Sequence, residues 1–260
     1  MPIPDPLPKQ HHEIPQKAAK PLQAGAKVMS DFAEKVVSYL HVGPKAYEPD
    51  KSGRKFYEVK PDGTLGRLPF EFLNEDEVDF YKIGPHFDGK GFPDYEGTPV
   101  LRFNPRRKRV SDLNKYGRLW IVSDRAKKLF EHVDPEAFEF RPVEAIRSGK
   151  PLEGDPYWLC APIRVLDAVD EDGSEIWISR QGEHYTYVTI HLTKLKLDVV
   201  GDAHEFSLIR YESTVIFDDV MVSEIKRAGL TGFIYLDLQS VERTNRLRPL
   251  HSLPPLVLPN

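Results

Sequence analysis

The order of apolar and polar positions is clearest in the second half of the chain. Residues 119–122 form a continuous apolar run, which predicts a buried strand. Ser123 follows as a helix N-cap. The helix that it begins has one apolar face, formed by Ala126, Leu129, Phe130 and Val133. Residues 138–143 alternate between apolar and polar side chains, so this whole segment is predicted to be strand, helix and strand.

An acidic turn at residues 170–173 separates two further strand-like runs, residues 157–169 and 175–179. The Asp-Gly step in the turn predicts that these runs form a hairpin. Residues 184–199 also alternate, and residues 206–217 are either one strand or two strands broken near residues 212–213.

The same pattern of apolar run, N-cap, helix and strand recurs near the C-terminal end. Residues 220–222 are apolar and lead into Ser223, the predicted N-cap of a short helix that Gly229 ends. Residues 233–236 form a last predicted strand.

The first half of the chain is less regular. A helix is predicted from Ser30 to about Leu40, and recurrent Gly-Pro and Asp-Gly steps then predict short strands and loops. Both ends are rich in proline, which excludes an inner strand or a helix interior there.

These patterns predict an α+β fold, with a mostly antiparallel sheet, two or three packed helices and a loop-rich N-terminal region. The predicted domain organisation is a Pro-rich tail (1–24), an N-terminal helix and loop-rich region (25–115), an α+β core (116–240) and a Pro-rich C-terminal tail (241–260). Two small domains joined near residue 115 are the alternative.

Composition narrows the classes of function. The chain has 260 residues, of which 40% are hydrophobic and 29% are charged, and its formal net charge is −4. This charge gives no general reason to expect a nucleic-acid partner. Cys160 is the single cysteine and lies in an apolar run, so we interpret it as a small buried hydrophobe in a cytoplasmic protein. No stretch approaches the roughly 18 apolar residues of a membrane span.

Residues 117–238 resemble a family of bacterial immunity proteins from polymorphic-toxin systems, the eleventh in the usual series. The similarity lies in residues 121–143 (IVSDRAKKLFEHVDPEAFEFRPV), 163–175 (IRVLDAVDEDGSE) and 204–238 (HEFSLIRYESTVIFDDVMVSEIKRAGLTGFIYLDL). The run of residues 229–233 (GLTGF) is its most specific part. The resemblance implies a protein that binds a cognate toxin and neutralises it, and it carries over no catalytic residues.

The sequence contains no phosphate-binding glycine loop, nucleophile elbow or HExxH pair. We therefore expect no enzyme, no cofactor and no metal site.

Two alternative functions stay open. His86 and Asp88, close to a tight turn, form an acid/base candidate. The basic run at Arg102, Arg106, Arg107, Lys108 and Arg109 is a candidate for contacts with phosphates.

Two acidic clusters are the candidate partner-binding residues, because like charges repel and a basic partner surface would relieve that cost. Neither cluster contains a lysine or an arginine. Three aromatic residues lie in or beside the first cluster, namely Phe72, Phe80 and Tyr81. They are either anchors of an interface or part of the core. The proposed contact residues are Glu71, Glu75, Asp76, Glu77 and Asp79 in the first cluster and Asp170, Glu171, Asp172 and Glu175 in the second, where Asp167 precedes them.

Overall fold

The computed structural model describes residues 38–43, 52–62, 70–75, 89–105, 110–116, 119–154, 156–181, 183–251 and 256. The strands are β1 (Ser38–Val42), β2 (Phe56–Pro61), β3 (Phe70–Phe72), β4 (Val100–Phe103), β5 (Leu113–Tyr116), β6 (Leu119–Ser123), β7 (Phe138–Pro142), β8 (Glu144–Arg147), β9 (Lys150–Pro151), β10 (Tyr157–Pro162), β11 (Val165–Leu166), β12 (Glu175–Gln181), β13 (His184–Leu192), β14 (Glu205–Leu208), β15 (Tyr211–Asp218) and β16 (Phe233–Asp237). The helices are α1 (Asp124–Val133), α2 (Leu197–Val200), α3 (Asp219–Arg227) and α4 (Val241–Leu247), and a 3₁₀ turn (Arg248–His251) follows α4. None of the helices in these ranges is long and apolar enough to cross a membrane.

The strands form four sheets. Sheet I has the order β11-β14-β15-β2-β16, sheet II the order β5-β6-β10-β7, sheet III the order β3-β4-β8-β9 and sheet IV the order β1-β12-β13. Neighbouring strands are antiparallel except for β11 beside β14 and β4 beside β8. The described residues are thus mostly sheet with few helices, which agrees broadly with the α+β prediction.

Three apolar cores lie between these sheets. Alternate residues of β2 and β15 point into different cores: Val59 and Phe217 belong to the core shared with sheet II, α1 and α3, whereas Phe56 and Ile216 belong to the core shared with sheet IV. Sheet II is likewise buried on both faces, because β6 and β10 also contribute to a third core with sheet III. Burial on both faces explains the continuous apolar run of residues 119–122, all of them buried.

Several predicted elements are confirmed. The run of residues 119–122 is β6, and the Ser123 hydroxyl accepts a hydrogen bond from the Ala126 N–H at the start of α1. The strand predicted at residues 138–143 is β7, and that at 233–236 is β16. Cys160 has no exposed surface, and burial raises the pKa of its thiol well above the usual range, which fits its interpretation as a core residue.

The predicted hairpin at residues 170–173 is wrong. The turn exists, but β10 before it pairs with β6 and β7, whereas β12 after it pairs with β1 and β13. The Asp-Gly step therefore joins strands of different sheets. Turn chemistry specifies a local reversal of the chain but does not specify which strands pair beyond it.

Two helix predictions also need correction. Residues 38–40, predicted as the end of a helix from Ser30, belong to the edge strand β1, while residues 30–37 lie outside the described ranges. The later helix starts at Asp219 and not after Ser223, because the Asp218 carboxylate accepts the Met221 N–H and acts as the N-cap. Residues 220–222 are consequently helical, and Met221 and Val222 are buried on the inner face.

The Asp112 carboxylate helps to join the 229–233 loop to sheet II, beside the hydrogen bond from the Leu113 N–H to the Thr231 carbonyl. The Asp112 side chain accepts hydrogen bonds from the Ser123 hydroxyl at 2.7 Å, from Arg125 Nη2 at 2.8 Å and from both the N–H and the hydroxyl of Thr231, at 2.8 and 3.0 Å. Burial alone would raise the pKa of Asp112, but these hydrogen bonds outweigh it and lower the pKa below its ordinary value. The GLTGF run thus has a structural role, in which Thr231 binds Asp112.

A second buried polar cluster lies where α1 ends. The Asp134 carboxylate accepts hydrogen bonds from Arg164 Nη2 at 2.9 Å and from the N–H groups of His204 and Glu205. The Glu205 carboxyl is fully buried, and neither of its oxygens has a hydrogen-bond partner among the described residues. Burial, only partly offset by Arg164, raises the pKa of Glu205 well above its ordinary value, so burial favours the neutral form of this side chain.

We expect Gly232→Ala to lower the free energy of unfolding by about 3 kcal/mol or more. Gly232 has a φ of +92°, and a Cβ there would lie 2.3 Å from the Leu113 carbonyl oxygen, so the loop would be pushed away from Asp112. Gly229→Ala is the matched control, because its φ is +63° but nothing lies within 4 Å of the added Cβ, and we expect it to cost about 1 kcal/mol. Chemical denaturation measures both; equal losses would contradict the close approach at Gly232.

We expect Glu205→Gln to become increasingly stabilising relative to the unchanged protein as the pH rises above 4.5, the ordinary value. Because the folded-state pKa is raised, the folded state binds more protons than the unfolded state, and the stability contributed by this group is lost as the pH rises towards the folded pKa. Glutamine cannot ionise and removes that loss. The free energy of unfolding from pH 5 to pH 9 tests this.

Asp134→Asn is the matched control, which we expect to be destabilising by the same amount throughout pH 5 to pH 9. Burial disfavours its charged form, but the hydrogen bonds from Arg164 and the His204 N–H outweigh burial and lower the pKa of Asp134. Its contribution is therefore present above its ordinary value of 3.8 and is lost as the pH falls below it. A Glu205→Gln effect that is the same at pH 5 and at pH 9 would contradict a buried neutral acid.

Candidate protein-binding surface

The first acidic cluster is partly neutralised by residues that are distant in the sequence. Glu71 on β3 forms an ion pair with Arg102, its direct register partner on β4. Glu75 accepts a hydrogen bond from the Tyr116 hydroxyl. Asp76, Glu77 and Asp79 lie outside the described residues, as do Phe80 and Tyr81, whereas Phe72 is buried in the core beneath sheet III.

The second acidic cluster divides into buried and accessible parts. Glu175 is fully buried and forms an ion pair with Arg248, so it is an interior residue and cannot contact a partner in this conformation, contrary to its place among the predicted contact residues. Asp170 lies 3.8 Å from the Lys194 ammonium. Asp172 is exposed, and no ion pair involves it in the described part of the chain. The accessible charge of this cluster therefore lies at the tip of the turn.

Glu171, between these residues, orients two tyrosines. Its carboxylate accepts hydrogen bonds from the Tyr185 hydroxyl at 2.9 Å and from the Tyr187 hydroxyl at 2.6 Å. Burial and the nearby Glu171 raise the pKa of both tyrosines. Both hydroxyls consequently stay protonated and act as hydrogen-bond donors to Glu171.

Tyr185 is held between two arginines. The Arg210 guanidinium lies 4.6 Å from the centroid of the Tyr185 ring, and the Arg180 guanidinium lies 5.6 Å from it. Arg210 also donates to Asp167 at 2.7 Å. Cation–π contacts of this kind fix the ring and the guanidinium planes relative to each other before any partner arrives.

Two exposed aliphatic residues belong to the same elements. Ile209, in the turn between β14 and β15, is 57% exposed, and Val188 on β13 is 47% exposed. Val188 is the extra residue of a β-bulge, since Ile178 pairs with Tyr187 and Trp177 pairs with Thr189. A bulge changes the direction of a side chain, which places this valine outside the core. The Tyr187 N–H donates to the Arg210 carbonyl at 2.7 Å and links β13 to this turn.

We define the Tyr185 surface as Tyr185 with its contacts Glu171, Arg180 and Arg210, together with the exposed residues next to these elements in the chain, which are Asp172, Val188 and Ile209. It combines an aromatic ring, arginines, exposed aliphatic side chains and a charged edge. Tyrosine and arginine are the residue types that are enriched at the energetic centres of protein interfaces. Sequence reasoning identified the acidic turn and the alternation at Tyr185, but not the turn that supplies Ile209 and Arg210.

A separate pocket of about 570 Å³ contains a His–Asp pair. His204 Nδ1 lies 2.8 Å from Asp218 Oδ2, and the Arg54 guanidinium donates to the same oxygen at 3.0 Å. Arg54 also donates to the carbonyls of Gly201 and Ala203, and the second Asp218 oxygen caps α3. These contacts fasten β2 to the start of α3, so the Asp218 carboxylate has a structural role that accounts for its interactions.

The structure does not support the acid/base candidate or the basic run as a site. His86, Asp88 and Arg106, Arg107, Lys108 and Arg109 lie outside the described residues, and Arg102 is the partner of Glu71. Within the ranges that the structure describes, no group of three or more His, Cys, Asp or Glu side chains is placed to hold a metal ion.

Comparison with known proteins identifies the family. The family model described as "Immunity protein family (Imm11)" matches residues 55–240, which is more than half of the chain. The match begins just before β2, so it includes this inner strand of sheet I. It also includes all of residues 117–238, the segment whose sequence resembles the family. No curated protein matches the chain. The chain belongs to the Imm11 family of immunity proteins.

Proposed function

We propose that this protein binds a cognate bacterial toxin or secreted effector and neutralises it by surface occlusion. The observation that carries the proposal is the family match over residues 55–240. Neutralisation of this kind needs a folded surface that covers the toxin's active surface, and no covalent bond is made or broken. The protein would act as a binding protein and not as an enzyme.

The Tyr185 surface is the proposed centre of the contact. Its ring and guanidinium groups are already fixed by cation–π contacts, so little conformational entropy would be lost when a partner binds. Ile209 and Val188 expose apolar area that a partner would remove from water. These features support a preformed site on a rigid sheet edge.

We further propose that the partner presents a basic surface to the acidic turn. Asp172 is exposed, and Glu171 is held in place by hydrogen bonds from two tyrosine hydroxyls, so the turn presents two acidic side chains in a fixed arrangement. Complementary charge would steer association with a toxin that acts on nucleic acid or on another phosphorylated substrate. Asp76, Glu77 and Asp79 stay predicted contacts of the first cluster, and Asp170 of the second. The single cysteine supports a cytoplasmic location.

Co-expression with the toxin encoded beside this protein tests the proposal. We expect cells to survive when both proteins are produced, and the two proteins to elute together in size-exclusion chromatography. Continued killing together with separate elution would contradict the proposed function.

We expect Arg210→Ala to raise the dissociation constant of the toxin complex by about 30-fold, the loss typical of an interface hot spot. Arg210→Lys should recover only part of this loss, because lysine keeps the charge but lacks the planar group that stacks on Tyr185. Arg246→Ala is the matched control, since Arg246 is an exposed arginine of α4 that pairs with Glu242. Calorimetric titration gives the three constants.

The acidic edge has a different kinetic signature. We expect Asp172→Lys to slow association at low ionic strength and to leave dissociation nearly unchanged, because an exposed charge at the rim acts mainly through steering. Stopped-flow or surface-binding kinetics at two salt concentrations measure both rates. Unchanged binding in Arg210→Ala and in Asp172→Lys, with a stable toxin complex, would place the interface elsewhere on the protein.

A further inference from the structure

A polar pocket of about 490 Å³ lies between sheets II and III, on a different part of the molecule from the Tyr185 surface. Its lining includes the Asp112 carboxylate described above and two arginines, one at the start of α1 and one at the end of β8. The polar side chains that matter here are Asp112, Ser123, Arg125, Arg147, Tyr157 and Thr231. The exposed carboxylate of Glu153 lies at the same pocket.

The position of Arg147 is fixed by its hairpin. β8 and β9 are joined by the two residues Ser148 and Gly149, both with positive φ, at 52° and 74°. This combination is typical of the tight turns that match the twist of an antiparallel pair. Arg147 therefore lies directly opposite Lys150 on one side, and it pairs with Phe103 of β4 on the other.

Arg147 has an unsatisfied hydrogen-bond donor. Its Nε is buried and has no acceptor among the described residues, and no ion pair involves its guanidinium there. Buried N–H groups of native proteins nearly always have a partner, and arginine cannot escape the cost of burial by losing its proton. Arg147 as a whole is only half-buried and lines a cavity, so an acceptor that enters this cavity could compensate its charge.

The nearest carboxylate is already engaged. Asp112 receives donors from Ser123, from Arg125 and from Thr231, so its lone pairs are largely used on one side of the pocket. Its negative charge is balanced by Arg125, which leaves the positive charge of Arg147 facing the cavity. The pocket thus offers one guanidinium that forms no ion pair among the described residues, with a second guanidinium, a tyrosine side chain and the exposed Glu153 also in its wall.

We propose that this pocket is a binding site for an oxyanion, a carboxylate or phosphate group on a small ligand, with Arg147 as its principal contact. The planar fork of arginine matches two oxygens of either group. The proposal does not depend on the toxin-binding function, since it rests on a different cavity and on a donor without an acceptor.

Titration of the full chain with inorganic phosphate and with acetate, at constant ionic strength set by chloride, tests the site. We expect saturable binding of at least one anion, followed by NMR shifts of amides that line the pocket. Tighter binding of phosphate supports a phosphorylated ligand, and tighter binding of acetate supports a carboxylate ligand. Absence of saturable binding for both anions would overturn the proposal.

Arg147→Gln should weaken this binding at least about 10-fold, because a charge-assisted pair of hydrogen bonds is lost. The matched control is Lys150→Gln, which removes one exposed positive charge from the same hairpin and lines no part of the pocket. We expect the control to change the affinity less than about 2-fold.

Arg147→Lys keeps the positive charge but lacks the planar guanidinium, so we expect its affinity for the anion to be intermediate. This variant provides the test if the glutamine variant does not fold. Equal affinities of the unchanged protein and of the folded Arg147 variant would refute the role of Arg147. A toxin that is still neutralised by Arg147→Gln separates this site from the proposed function.

Discussion

The carboxylate of Asp112 is the contact on which the arrangement of the sheets depends. It lies just before β5, yet it binds the cap residue of α1 and both donors of Thr231. Through Thr231 it fixes the loop that leads into β16, and the Asp62 N–H then donates to the carbonyl of Gly232 in the same loop. One carboxylate therefore links sheet I to sheet II, in addition to their shared apolar core, and lines one wall of the oxyanion pocket.

Local structure was predictable wherever the local pattern and the packing required the same conformation. β6, α1 and β7 were predicted because Ser123 caps the helix and the apolar runs end in buried surfaces. The start of α3 is placed five residues too late by the sequence because Asp218 and Ser223 are both good N-caps, and Asp218 is the one that is held by Arg54. Such a contact joins residues far apart in the sequence and leaves no local signal.

In the candidate site, too, local features were predictable from the sequence and contacts between distant segments were not. The acidic turn was visible in the sequence, but its surroundings were not, because Lys194, Arg210 and Arg248 approach these carboxylates from other segments of the chain. The exposure of Val188 arises from a bulge, which breaks the two-residue alternation on which strand prediction relies. Family resemblance supplied the class of function, and pairing between distant strands determined which side chains form the surface.

The position of β2 in sheet I has a consequence for biosynthesis. β2 begins at Phe56, yet it lies between β15 and β16, which begin at Tyr211 and Phe233 and are therefore translated much later. The ribosome releases a chain from its N-terminal end, so the two edges of β2 stay without these partners until β15 and β16 have been made. The long sequence separation of these contacts also favours slow folding. A nascent chain of this protein is thus expected to need protection from aggregation for most of its synthesis, and to become functional only when the last strand has emerged.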